Sequence, residues 1–274
     1  MNMALFFRGF FLRYSRKKIY LRSMNAYKEY FPTKAYRIAE MRLSTLLRVE
    51  RDRLDGIATA LGRDCAIGPD NLREQLPEIL KFTEAYHAAY DQYLKAVLVQ
   101  QPRPIQCRPA CGNCCHHYPM SVEPFELIFM YSELRKRDDL LSLMEACQMR
   151  SDKFEALFES RKDEGLSEDD AEDKALHDYF SWWRSCPFSN EVGDCTVYPL
   201  RTVSCRMYFS ETDPKYCTPD MLQTEKNDSY IVYMPDVVED AVYGISEHYA
   251  ALDLPESFFG GLLALNGYEG VLGA

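Results

Sequence analysis

Cys107-Arg108-Pro109-Ala110-Cys111-Gly112-Asn113-Cys114-Cys115 sets four thiols within nine residues, and the reading of this stretch decides what kind of fold surrounds it. A turn brings residues three apart to within the few ångströms that a tetrahedral ion or a cluster demands, so Cys107, Cys111 and Cys114 can converge on one centre. Gly112 supports such a turn. Cys115 is less suited to the ion that Cys114 reaches, which points to a second metal, a bridging thiolate or a free redox-active thiol.

Working outward, Gln101-Pro102-Arg103-Pro104 cannot continue a helix, so the cluster begins in a loop. Downstream stand Cys186, Cys195, Cys205 and Cys217, spaced too widely for local turns to gather them. Only the fold can do that. Residues 186–217 hold Pro187, Gly193, Pro199 and Pro214 and show no sustained periodicity, which predicts an irregular, partly extended segment ordered by something other than regular hydrogen bonding. Four close and four gathered sulfurs suit a pair of structural zinc sites, one zinc cluster, or an iron–sulfur cluster with spare ligands. Without an export signal, a disulfide framework and a set of reduced core cysteines are the weaker alternatives. Cys65 and Cys147, in helical or near-helical surroundings, read as ordinary small apolar residues.

The flanking sequence is helical. Apolar residues spaced mostly by threes and fours (Ile38, Met41, Leu43, Leu46, Leu47, Leu54, Ile57) predict a helix from Asn25 to about Leu61, broken at Pro32 and ended by Gly62. A second runs from about Asn71 to Gln100, burying Leu72, Leu76, Ile79, Tyr86, Tyr90, Tyr93 and Val97 with only Thr83 interrupting the series. Further helices are expected at about Glu123–Lys136, Asp138–Lys162 and Ser167–Arg184, the last opened by a serine cap and three acids. Residues 229–245 read as two short strands or as a strand and a helix, and 255–270 as one last short helix. The expected fold is therefore mainly α, with few short strands. A bundle-like N-terminal region (1–104) packs on an irregular, metal-stapled cysteine-cluster domain (105–220), and a C-terminal segment (221–274) closes the core.

The cysteine pattern resembles the CxxCxxCC cysteine-cluster family of zinc- or iron-chelating domains, the YkgJ type. The matching residues are Cys107 to Cys115, then Cys186-Pro187-Phe188, Gly193-Asp194-Cys195-Thr196-Val197-Tyr198, Arg201, Cys205-Arg206 and Cys217. The resemblance covers about residues 105–220 and implies that all eight cysteines bind metal. It departs at Thr202, where the family places proline; we expect this residue to touch no ligand. Flagellin lysine N-methylases look similar around such a cluster, which makes an iron–sulfur-dependent protein-modifying or redox enzyme the alternative to a metal-binding module. The spacing of Cys107, Cys111 and Cys114 also matches radical S-adenosylmethionine enzymes, but the strand-helix barrel those enzymes need does not follow here.

Among other residues, His116 and His117 read as support or as exposed side chains. Arg201 and Arg206 are expected to offset thiolate charge, and Tyr198 and Tyr208 to pack. No phosphate loop, Ser-His-Asp signal or HExxH pattern occurs, so a conventional hydrolase or nucleotide enzyme lacks support.

Composition is that of an ordinary soluble globular chain, 47% apolar and 27% charged, with a net charge of −10. Residues 1–55 are basic, with 13 Lys or Arg against 5 Asp or Glu, whereas the rest is acidic. A nucleic-acid partner is not expected for such a surface. The apolar run Leu5–Leu12 and the bases Arg13 to Arg22 read as a helix docked on the core, a helix meeting a membrane surface or protein partner through residues 5–22, or a transit peptide. Of these we take the docked helix, and with it a cytoplasmic protein.

Overall fold

In the computed structural model, which describes residues 33–101, 103–222 and 224–268, the Thr33 hydroxyl caps the first helix by accepting the Tyr36 N–H at 3.2 Å. The basic arm, and the start of the expected helix at Asn25, lie outside the described residues. Helix α1 (Lys34–Leu61) ends as expected at Gly62, which takes the left-handed conformation at φ 64° and donates its N–H to the last carbonyls. Its buried face differs from the expected one. Ala39, Leu43, Leu47, Glu50, Leu54 and Ala58 face inward, while Ile38 lies at the edge and Met41 is 61% exposed. Steps of four, with one of three between Leu47 and Glu50, select this stripe along one side of the helix.

Helix α2 (Leu72–Leu98) carries the tyrosine series inward as expected. The hydroxyls of Tyr90 and Tyr93 donate to the carbonyls of Val232 (3.3 Å) and Tyr233 (2.9 Å), so this face also fixes a distant strand of chain. Thr83 does not interrupt the face. It is fully buried, its hydroxyl bonded to Ile79 O at 2.8 Å and near Phe125 O at 3.3 Å. Helix α3 (Pro124–Leu134) buries Phe125, Leu127, Ile128, Met130, Tyr131 and Leu134, and a helix apolar on nearly every side belongs in the core. It lies between α2 and the last helix, α8 (Phe258–Asn266).

Helices α4 (Leu140–Asp163) and α5 (Glu168–Ser181) form a pair whose other neighbour is α8. Ser167 caps α5 by accepting the Asp170 N–H. Most of the acid run 163–173 faces solvent, but Glu172 is buried. The region 186–217 is largely turns, with two 3-10 turns (Tyr198–Leu200 and Pro214–Tyr216), one α-helical turn, α6 (Val203–Arg206), and a strand, β1 (Tyr208–Ser210). Strand β1 pairs antiparallel with β2 (Ser229–Ile231), Tyr208 opposite Ile231. Residues 229–245 thus form a strand followed by a helix, α7 (Asp236–Ser246), which packs on α1. Buried side chains from Ala39 to Leu265 form one cluster. Among the described residues no helix is long and apolar enough to cross a membrane.

Candidate metal centre

The first cysteine loop turns through two left-handed residues, Ala110 at φ 59° and Gly112 at φ 65°. Cys111 N–H donates to Arg108 O and Cys115 N–H to Gly112 O, which winds Asn113–His116 into a tight helical turn. Cys114 and Cys115 both ride on it. Their thiols are hydrogen-bonded to each other, so the two neighbouring sulfurs lie together.

The second segment is shaped by its own side chains and by the scaffold. Asn190 Oδ1 accepts the N–H groups of Val192 and Asp194, which closes a turn that Gly193 completes at φ 89°. Thr196 N–H returns to Phe188 O at 2.8 Å, and Ser189 and Cys195 form a bridge. The two segments then meet backbone to backbone: a Cβ on Gly193 would stand 2.9 Å from Ala110 O, and one on Gly112 would stand 3.4 Å from Gly193 O. Gln106 N–H donates to Ser210 O at 2.8 Å, and Asn113 Nδ2 donates to Pro214 O.

Through these contacts the thiols become electrostatic neighbours. The Cys107 thiol is pushed up to about 11, first by protein atoms crowding its sulfur although solvent reaches the residue, then by Cys111, Cys114 and Cys217. Burial likewise raises Cys217, with the charges of Cys111 and Cys114 adding and the Ser210 and Asn227 side chains opposing. On the other side, burial raises Cys186, and Cys205 and Cys195 add to it. Burial raises Cys205 to about 11, with Cys114 and Cys195 contributing further. Cys114 belongs to both groups and links them. Its own thiol is raised well above the usual range, first by the hydrogen bond with Cys115.

Arg201 supplies positive charge here, drawing the thiols of Cys114, Cys195 and Cys205 down against these effects. Its guanidinium lies 3.6 Å from the ring centroid of Tyr198, which is 58% exposed and serves as a platform rather than as core. Arg206, expected to share this role, turns away instead. It pairs with Asp91 at 2.9 Å and holds the carbonyls of Arg201 (2.6 Å) and Pro199 (2.8 Å). His116 stacks on Trp183 at 3.9 Å, with Nδ1 3.2 Å from Asn113 O and Nε2 3.3 Å from the Ser185 hydroxyl. His117 is sandwiched between Phe180 (4.0 Å) and Tyr208 (5.1 Å), and burial, with His116 beside it, lowers its pKa to about 4. Both histidines thus brace the loop, the first by ring stacking and hydrogen bonds and the second by stacking alone.

Several buried polar residues that position the cysteines carry no spacing signal. Glu126 on α3 accepts from His87 Nε2 (2.7 Å) and from Val203 N–H (2.8 Å), fixing the turn that bears Cys205. Thr202, expected to touch no ligand, is fully buried and its hydroxyl is hydrogen-bonded to the Cys205 thiol. Proline at this position has no hydroxyl to make that bond. Asn227 Nδ2 donates to Tyr216 O beside Cys217.

The chemistry of a thiol set suits a soft metal, and the thiols of the two segments are electrostatic neighbours with no carboxylate among the groups acting on them. As the side chains stand, no group of three or more His, Cys, Asp or Glu among the described residues is arranged to hold a metal ion. No protein-family model, curated protein or solved structure matches this chain.

Proposed function

We propose that this is a cytoplasmic metal-binding protein that coordinates zinc or an iron–sulfur cluster through Cys107, Cys111, Cys114, Cys115, Cys186, Cys195, Cys205 and Cys217, as the likeness to the YkgJ-type family implies. The observation that carries the reading is that both cysteine blocks, about 70 to 110 residues apart in sequence, share one electrostatic neighbourhood linked through Cys114. Thiols pushed upward by burial and, further, by one another are stabilised as thiolates by a soft cation, which binds with release of their protons. Bound there, zinc would supply structural cross-linking and an iron–sulfur cluster electron transfer. The chain's own residues supply the rest: Arg201 offsets sulfur charge, Glu126 and Thr202 hold Cys205, and the glycine contact keeps the two segments together.

A second reading, an iron–sulfur-dependent enzyme of the protein-modifying or redox kind, draws on one observation. Cys107 is exposed to solvent, so one side of the proposed centre is reachable from outside. Anaerobic purification followed by elemental analysis and a visible spectrum tests both. Colourless protein with stoichiometric zinc supports the metal-binding module. Brown protein with iron and labile sulfide keeps the enzyme reading in play, and protein that takes up neither metal under reducing conditions refutes both.

A further inference from the structure

Arg150 stands mid-way along α4 and is only 5% exposed. Its Nη1 donates to Arg184 O at 3.0 Å and towards the Tyr179 hydroxyl at 3.3 Å, and its Nη2 donates to Ser185 O. The guanidinium lies 4.8 Å from the Trp182 ring centroid. Every acceptor is neutral, Nε has none, and among the described residues no carboxylate is within ion-pair distance of this buried guanidinium. A buried cation left without counter-charge is strongly unfavourable, so its retention calls for an anion nearby.

The chain places that anion. The two carbonyls that Arg150 grips belong to the residues directly before Cys186, and Cys147, one turn earlier on α4, feels its charge. Cys147 in turn neighbours Cys186, whose other neighbours are Cys195 and Cys205. Four thiolates around a divalent ion leave an excess of about two negative charges, which fixed cations beside the ligands stabilise. Arg201 acts on Cys114, Cys195 and Cys205, and of these two arginines only Arg150 holds the chain directly before Cys186.

We propose that Arg150 is the counter-cation and clamp for the Cys186 side of the centre, its charge answering the thiolate ligands and its paired carbonyl bonds setting where Cys186 stands. The proposal rests on the metal-binding reading. Its test is a competitive titration of the full-length, metal-stripped, reduced protein with Zn²⁺ and with Co²⁺, comparing wild type, Arg150→Met and Arg150→Lys, with melting of each metal-free form measured alongside. Arg150→Met is expected to bind about 10- to 100-fold more weakly, the range seen when a group supporting a ligand is lost. Lysine keeps the charge but cannot bridge two carbonyls or stack flat. Arg150→Lys should therefore recover part of the affinity while shifting the thiolate-to-Co²⁺ absorption band. A role in folding alone would lower the metal-free melting temperature and leave the band and affinity unchanged, which overturns the proposal. Should Arg150→Met not fold, Arg150→Lys decides by the same two readouts. Wild type that binds neither ion refutes the metal-binding reading and this proposal together, whereas wild type that binds with both variants unchanged refutes this proposal alone.

Discussion

Gly193 lies so close to Ala110 that a Cβ on residue 193 would stand 2.9 Å from the Ala110 carbonyl oxygen, and this contact joins the two cysteine segments. Backbone cannot yield as a side chain can, and φ 89° adds strain for any other residue. Gly193→Ala should therefore cost about 1–3 kcal/mol in chemical denaturation and raise the reactivity of Cys195 and Cys111 toward a thiol reagent in the metal-free protein. Wild-type reactivity in a stable variant would show that the loops do not depend on each other.

Glu126 ties three elements to one carboxylate, taking His87 from α2 and the Val203 N–H from the turn bearing Cys205. Removing one partner of a buried hydrogen-bonded pair leaves the others unsatisfied, so Glu126→Ala is expected to lose about 3–5 kcal/mol. Glu126→Gln, which keeps an acceptor, should lose less. Equal losses would mean that the carboxylate's charge, and not its shape or an accepting oxygen, matters here.

Glu123 sets the pH response of the α3–α7 junction. Burial pushes its carboxyl up to about 8, Ser246 donates to it, and Glu126, Glu256 and Glu239 raise it further. The folded state keeps a proton that the unfolded chain releases near 4.5. The stability this group contributes is fully present below that value and is lost as pH climbs towards about 8. Glu123→Gln should flatten this decline and be the more stable protein by about 1–3 kcal/mol above pH 8, a figure below the full linkage value. Melting curves at pH 5 and pH 8.5 check the sign, and parallel curves for the two proteins contradict it.

Thr202 shares its hydroxyl between Ser204 at 2.9 Å and the Cys205 thiol, and the latter bond opposes the rise that burial imposes on Cys205. Thr202→Val keeps the shape and removes the bond. It should cost about 1 kcal/mol and shift the alkylation profile of Cys205 to higher pH, whereas an unshifted profile would leave Thr202 a packing residue only.

The helical periodicities, the serine cap of α5 and the glycine stop of α1 were legible in the sequence because each depends on residues within a turn or two of one another. The face that α1 buries was not, since which stripe turns inward depends on what α2 and α7 offer it, and the exposed Met41 is no less apolar than the buried Leu43. The composition of the cysteine loop was equally local, and so were the prolines that deny residues 186–217 a regular ladder. What only the tertiary structure decided is how these pieces meet: Gly193 against Ala110, Cys114 between the two thiol groups, Arg206 spent on Asp91, Glu126 and Thr202 holding Cys205. Each of these pairs residues that are distant in sequence or fixes a side chain's direction through packing. Spacing along a chain encodes which groups a turn can bring together, but not which groups a fold will.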